Sequence, residues 1–81
     1  MRGRGGELLL KIFRQKKLLT QYEVAETLRI SVRQYQRIES GRSFPSEFGL
    51  GKLEDLFKVP HRVLFAKSVD EIPDFLSDFL P

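Results

Sequence analysis

The sequence predicts an all-α fold, a compact domain of five helices with a short extra helix at the C-terminus. Apolar residues recur at helical spacing along most of the chain, and residues that start or stop helices separate these segments. No stretch alternates apolar and polar residues as a half-buried strand does, and no Asn-Gly pair marks a hairpin. A chain of 81 residues with 41% hydrophobic residues has the size of a single small domain, which needs a dense core.

The first predicted helix runs from Glu7 to Lys17. It follows the segment Met1–Gly6, whose three glycines and two arginines predict a flexible basic arm. The apolar residues of this helix recur at helical spacing and therefore share one face, which consists of Leu8, Leu9, Ile12 and Phe13.

Two capped helices follow at residues 21–28 and 32–40. Each begins at a pair of residues that matches the capping box, in which two side chains cap each other's backbone amides. These pairs are Thr20 with Glu23 and Ser31 with Gln34. Gly41 is expected in the left-handed conformation that ends the second helix. About three residues separate the two helices, which is the spacing of a helix-turn-helix.

The C-terminal half predicts three further helices. One covers residues 46–57 with Ser46 as its cap, and one covers residues 61–66 behind Pro60. The acidic and aromatic segment 67–81 predicts a short final helix with Pro73 at its first position. The apolar side chains of that helix are expected on one stripe, formed by Ile72, Phe75, Leu76, Phe79 and Leu80.

The composition excludes several classes of function. Without cysteine the chain has no disulfide, thiol nucleophile or thiolate metal site, and one histidine offers little for metal binding or catalysis. The longest apolar run, Val63–Ala66, is far shorter than a membrane-spanning helix or the core of a signal peptide. We therefore expect a cytoplasmic binding module with no catalytic residues, no metal site, no cofactor and no membrane contact.

Charge divides the chain into a basic half and an acidic half. Residues 1–42 contain ten Lys and Arg and four Asp and Glu, a net charge of +6, whereas residues 43–81 have a net charge of −3. Clustered positive charge is typical of proteins that bind polyanions such as nucleic acids. An ordinary solvated surface is the alternative when the charge is considered alone.

Four short motifs occur in order between residues 19 and 45. They are L-T-Q-x-x-V-A at Leu19–Ala25, I-S at Ile30–Ser31, R-I-E-S-G at Arg37–Gly41, and Pro45. With these motifs, the segment Leu10–Phe65 resembles the helix-turn-helix domains of the Cro/repressor (XRE-type) family of bacterial and phage regulators. The resemblance implies a repressor-like helix-turn-helix domain at residues 7–66 that binds double-stranded DNA, with the 32–40 helix in the major groove.

The resemblance also implies which residues contact DNA. The residues nearest the base edges are Val32, Arg33 and Gln34, followed by Gln36 and Arg37. Arginine suits a guanine edge, glutamine an adenine edge and valine a thymine methyl group. Phosphate contacts are implied for Thr20, Gln21, Arg42 and Ser43, and Gln21 alternatively braces the reading residues. Arg2 and Arg4 of the arm are candidates for the minor groove, and a start that makes no DNA contact is the alternative.

Five further residues bear on how such a domain folds and not on how it contacts DNA. Arg14 and Glu39 stand where many family members have a partly buried arginine–glutamate pair, so Arg14 is assigned to Glu39 rather than to DNA. Leu18 and Arg29 stand where many members have glycine, and the turns there are therefore expected to close differently. Tyr35 replaces an isoleucine or valine, and its ring is expected inside, with the hydroxyl at the rim or on a phosphate.

These inferences lead to two hypotheses about function. The first is a sequence-specific transcriptional regulator of a bacterial or phage-infected cell, a repressor that binds a near-palindromic operator as a homodimer. The alternative is an antitoxin or phage-type interaction module whose acidic C-terminal segment binds a protein partner. That segment has three open roles: it covers the core, forms a dimer contact, or docks the partner through Phe75, Leu76, Phe79 and Leu80.

Overall fold

The computed structural model of the protein describes residues 8–81, so Glu7 and the predicted arm with Arg2 and Arg4 lie outside the described residues. This part of the chain contains the following elements: α1 Leu9–Lys16, α2 Gln21–Leu28, α3 Val32–Glu39, α4 Glu47–Phe57, α5 His61–Leu64, and the 3₁₀ segments Val69–Glu71 and Asp74–Phe79. No strand occurs between residues 8 and 81, and the prediction of an all-α fold is confirmed. Every helix in this range is too short to cross a membrane.

Helix α1 begins at Leu9, two residues later than predicted. Leu8 has an extended backbone, and its amide donates to the Glu39 carbonyl over 3.2 Å. The Leu9 amide donates to the Ala66 carbonyl over 2.8 Å. Because α1 has no side-chain cap, these two bonds satisfy amides that its first turn leaves without a helical partner. They also tie the start of α1 to the ends of α3 and α5.

Helices α2 and α3 begin at the predicted caps. Thr20 Oγ1 accepts from the Glu23 amide over 3.0 Å, and Glu23 Oε1 accepts from the Thr20 amide over 2.8 Å, which completes the capping box. At α3 only half of the predicted box forms. Ser31 Oγ accepts from the Gln34 amide over 3.0 Å, while the Gln34 side chain is exposed and does not return the bond.

Four of the helices are followed by a residue with left-handed backbone geometry. Gly41, with a φ of 84°, follows α3 as predicted. The corresponding residues after α1, α2 and α4 are Leu18, Arg29 and Lys58, with φ of 59°, 60° and 57°. The expectation that the turns at Leu18 and Arg29 close differently was wrong, because both residues adopt the conformation that glycine favours. The backbone hydrogen bonds of these turns outweigh a strain of about 1–2 kcal/mol at each residue.

The core is a single cluster to which all five helices contribute. Helix α2 packs against α3 and α4, and α5 packs against α1 and α4. On α1, Leu8 and Leu9 of the predicted face are buried, but Ile12 is 42% exposed, and Leu10, which was not assigned to that face, is fully buried. The largest fully buried side chains are Leu10, Val24, Tyr35, Ile38, Leu53, Val63 and Leu64. The opposite face of α3 is left open to solvent.

The C-terminal segment does not form the predicted final helix. Helix α5 ends at Leu64 rather than at residue 66, and Pro73 caps a 3₁₀ segment instead of starting an α-helix. A 3₁₀ helix has three residues per turn, so the prediction of one apolar stripe was wrong. Ile72 and Leu76 pack against the core, whereas Phe75 is 74% exposed and Phe79 and Leu80 are also exposed.

Candidate nucleic-acid interface

A buried ion pair joins α1 to α3 behind the exposed face of α3. Arg14 Nε lies 2.7 Å from Glu39 Oε2, and Arg14 Nη2 lies 3.2 Å from Glu39 Oε1, so the pair is bidentate. Arg14 Nη1 also donates to the Leu19 carbonyl over 2.9 Å. Arg14 is 9% exposed and Glu39 is 4% exposed. Buried in this way, Arg14 braces α3 and is not available to DNA.

Glu39 accepts from two further donors. The Tyr35 hydroxyl donates to Oε2 over 2.8 Å, and Gln21 Nε2 donates to Oε1 over 3.0 Å. Burial by itself raises the pKa of the Glu39 carboxyl, but the hydrogen bonds from Arg14, Tyr35 and Gln21 outweigh burial and hold this pKa below its ordinary value. The carboxylate therefore stays ionised at neutral pH, and its hydrogen bond raises the pKa of Arg14.

Tyr35 lies deeper than the sequence predicted. Its side chain is fully buried and its hydroxyl bonds to Glu39, so the expectation of a hydroxyl at the rim or on a phosphate was wrong. Burial first, and then the negative charge of Glu39, raise the pKa of the hydroxyl. A buried phenol needs a hydrogen-bond partner, and the carboxylate provides one. The spacing of four residues between Tyr35 and Glu39 on one helix is the signal that predicts this contact.

The exposed face of α3 borders an open cleft of about 420 Å³. The side chains that line it are Arg33, Gln36, Arg37, Ser40 and Arg42. Three of these are arginines and none is acidic, so the cleft concentrates positive charge. Arg37 Nε donates to Ser43 Oγ over 3.3 Å, which holds this arginine beside the loop that follows α3.

The other residues that were predicted to contact DNA differ in exposure and in the hydrogen bonds that they already make. Gln34 is exposed beside Arg33 at the start of α3, whereas Val32 is half-buried and packs against the core. Thr20 uses both its hydroxyl and its amide in the capping box with Glu23. The Glu23 carboxylate therefore brings negative charge to the helix start at which a phosphate contact was predicted.

A side-chain hydrogen bond connects α2 with the exposed face of α3. Gln36 Nε2 donates to Gln21 Oε1 over 3.1 Å, and Gln21 in turn donates to Glu39. Gln21 thus braces Gln36, and its contact with a phosphate stays a prediction. The two glutamines are on different helices, so their contact matches the bracing role that the family resemblance implies for Gln21 and not a local pattern in the sequence.

A cluster of cations around Phe48 was also missed from the sequence. The Arg29 guanidinium carbon lies 5.3 Å from the Phe48 ring centroid, and Lys52 Nζ lies 5.4 Å from it. The Arg29 contact links the turn after α2 to α4, whereas Lys52 and Phe48 both belong to α4. Within residues 8–81, no group of His, Asp and Glu side chains is arranged to hold a metal ion.

The comparison with protein families finds a match. A family model described as Helix-turn-helix matches residues 10–64, which is most of the chain. The matched range begins inside α1 and ends with the last residue of α5, so it includes the buried ion pair and the residues that line the cleft. No curated protein and no solved structure matches the chain significantly.

Proposed function

The chain belongs to the helix-turn-helix family of the Cro/repressor (XRE) type, and on that premise we propose that it is a transcriptional repressor that binds a near-palindromic operator as a homodimer. The family is one of DNA-binding regulators rather than of enzymes. The single observation that carries the proposal is the arginine-lined cleft beside the exposed face of α3. An α-helix that presents such side chains fits the major groove, and the ion pair behind α3 keeps the helix rigid.

In this proposal the residues that contact DNA differ in the part of the duplex that they touch. Arg33, Gln34, Gln36 and Arg37 contact base edges, with Val32 touching a thymine methyl group. Arg42, Ser43, Thr20 and Gln21 contact the phosphate backbone, and Arg2 and Arg4 enter the minor groove. The repressor acts on DNA in the cytoplasm of a bacterial or phage-infected cell.

The test is selection of bound sequences from a pool of random duplexes, followed by titration at several salt concentrations. For Arg33→Ala we expect a loss of about 1–3 kcal/mol on the selected duplex and a small loss on a random duplex. Lys58→Ala removes one positive charge from an exposed residue in the turn after α4 and serves as the control. Equal affinity of the wild-type protein for all duplexes would refute sequence-specific binding.

The C-terminal segment supplies the contact between the two copies in this proposal. One copy of α3 reads one half-site, so a near-palindrome requires two copies. Phe75, Phe79 and Leu80 are exposed and available for the contact, while Leu76 packs partly on its own core. We expect the wild-type protein to sediment as a dimer and the Phe75→Ser/Phe79→Ser variant as a monomer. Val69→Ser, at another exposed apolar residue, is the matched control, and a wild-type monomer at operator-binding concentrations would refute the homodimer.

The same exposed side chains favour a second candidate, an antitoxin or phage-type module that binds a protein partner. Asp74 and Asp78 lie beside Phe75 and Phe79, so the segment offers apolar contacts with negative charge around them. A defined partner that binds the wild-type chain and is lost with Phe75→Ser/Phe79→Ser, while the protein still dimerises and binds its operator, would favour this candidate.

A further inference from the structure

An apolar groove of about 450 Å³ lies between the start of α1, the loop after α3 and the end of α5. Leu8, Phe44 and Phe65 supply its apolar surface, and Arg42 and Lys67 supply positive charge. Among the described residues that line the groove, none is acidic. Its volume falls within the range of about 300–1,000 Å³ that is typical of binding pockets. The groove therefore suits an occupant that is both apolar and negatively charged.

The aromatic surface of the groove is exposed and held in place. The ring centroids of Phe44 and Phe65 lie 5.0 Å apart, with the rings edge to face at 60°. Phe44 is nevertheless 64% exposed. Aromatic side chains are enriched at protein interfaces, and a ring that a neighbour already holds loses little freedom when a partner binds. Phe44 thus offers a preformed contact for an apolar side chain.

The C-terminal segment has the composition that this groove suits. Residues 68–81 contain four acidic residues and no Lys or Arg. Phe75 is 74% exposed, and Phe79 and Leu80 are exposed as well. Apolar side chains among negative charges complement an apolar groove with positive charges. Residues 1–6, by contrast, carry two arginines and no acid, so they do not complement the charge of the groove.

The position of the segment favours a second copy as the source of the occupant. Within one chain Ile72 and Leu76 pack against the core, and none of residues 68–81 lines the groove. The segment nevertheless starts at the groove, since the amide of Lys67 donates to Glu71 Oε1 over 2.9 Å. A basic groove beside an acidic segment forms a self-complementary surface, which is what a two-fold symmetric contact between identical chains requires.

We propose that the groove holds the C-terminal segment of a second copy, and that two copies exchange this contact reciprocally. The exposed Phe75 and Phe79 of one copy pack against Phe44 of the other, and the acidic residues of the segment lie near Lys67. Ile72 and Leu76 keep their places on their own core, so the segment is ordered before the copies meet. The inference rests on the proposed function, because it names the surface on which the dimer contact of the proposed homodimer forms.

The experiment combines two full-length variants, each of which lacks one half of the contact. Phe44→Glu places a negative charge in the groove and leaves the segment intact, while Phe75→Ser/Phe79→Ser leaves the groove intact. By sedimentation without DNA, we expect each variant alone to self-associate at least about tenfold more weakly than the wild-type protein. An equimolar mixture has one intact groove and one intact segment, so it should associate more strongly than either variant alone.

Two further variants serve as controls for the groove. Phe48→Glu, at a phenylalanine of α4 that is 46% exposed, is the matched control and should keep the wild-type association. Lys67→Glu changes only the charge of the groove and should weaken association by about fivefold. Arg42 is not used, because it also lines the cleft beside α3. Far-UV circular dichroism checks that Phe44→Glu folds, and Lys67→Glu takes its place in the mixture if it does not.

Nuclear magnetic resonance reports where the segment binds. In ¹⁵N-labelled Phe75→Ser/Phe79→Ser, the amide resonances of Gly41 and Lys67 should shift when unlabelled Phe44→Glu is added. An unlabelled chain that carries all three substitutions should leave them in place.

The possible failures separate the inference from the proposed function. A wild-type dimer that stays intact in folded Phe44→Glu and in Lys67→Glu, or a mixture that associates no better than its components, would overturn the inference and leave the homodimer standing. A monomeric wild-type protein would refute the homodimer itself. If the Gly41 and Lys67 resonances of that monomer also shift in Phe75→Ser/Phe79→Ser, the occupant of the groove is the segment of the same chain.

Discussion

Replacement of Glu39 by leucine tests how much the buried polar network contributes to the fold. The carboxylate accepts two hydrogen bonds from Arg14 and one each from Gln21 and Tyr35. In Glu39→Leu the Arg14 charge stays buried with only the Leu19 carbonyl as partner, and the buried Tyr35 hydroxyl has no acceptor. The variant therefore leaves two polar groups in the core without their partners.

The expected loss in the free energy of unfolding follows from these two polar groups. Breaking a buried ion pair by removing one partner costs about 3–5 kcal/mol, and a buried hydroxyl without a partner adds about 1–3 kcal/mol. A domain of this length has a free energy of unfolding of roughly 4–12 kcal/mol, so Glu39→Leu should unfold much of the protein. Arg14→Met should cost less, about 3 kcal/mol, because Glu39 keeps the donors of Gln21 and Tyr35.

The order of stability among the variants is the decisive result. The double variant Arg14→Met/Glu39→Leu removes the stranded charge and should be more stable than Glu39→Leu alone. Adding Tyr35→Phe removes the stranded hydroxyl and should raise the stability again. Urea unfolding measures the free energy of unfolding of all four variants. Far-UV circular dichroism is the probe, because the chain has no tryptophan for fluorescence. A Glu39→Leu variant that loses less than 1 kcal/mol, or a double variant less stable than Glu39→Leu, would refute this account of the network.

Three further predictions follow from the same structure. Leu18→Gly should raise the free energy of unfolding by about 0.5–1 kcal/mol, because the 89% exposed side chain has little burial to lose and its φ of 59° suits glycine. Leu18→Ala is the control and should gain nothing, while Arg29→Gly should gain less than Leu18→Gly since it also loses the contact with the Phe48 ring. In acid, the lowered pKa of Glu39 means that its stabilisation is complete above its ordinary value of 4.5 and is lost as the pH falls through the folded-state pKa. The melting temperature should therefore fall as the pH falls through the folded-state pKa of Glu39. A melting temperature that does not change in this acid range would contradict the ion pair. Leu64→Ala should cost about 2–5 kcal/mol in urea unfolding and Leu80→Ala much less, because the first side chain is fully buried and the second is 41% exposed.

Much of the fold was predictable because its signals are local. The capping box at Thr20 and Glu23 and the left-handed Gly41 act within four residues, so the sequence places the boundaries of α2 and α3 closely. The family resemblance rests on the same short motifs and is confirmed by the match over residues 10–64. The final helix was predicted with α-helical spacing, and that local pattern carries no information about how the segment packs against the core. The segment Asp74–Phe79 is a 3₁₀ helix, and in this form Ile72 and Leu76 pack against the core.

The amino-acid sequence therefore specifies the helices, their caps and the basic face of α3, since each depends on neighbours along one turn of chain. No local pattern in the sequence specifies how the polar side chains of α1, α2 and α3 pair, and the Arg14–Glu39 pair was expected only from the family resemblance. Arg14 reaches Glu39 across 25 residues of sequence and Gln21 reaches Glu39 across 18. Such contacts form only when helix packing brings the side chains together and excludes water from most of them. The contact of Gln36 with Gln21 on the neighbouring helix also comes from that packing.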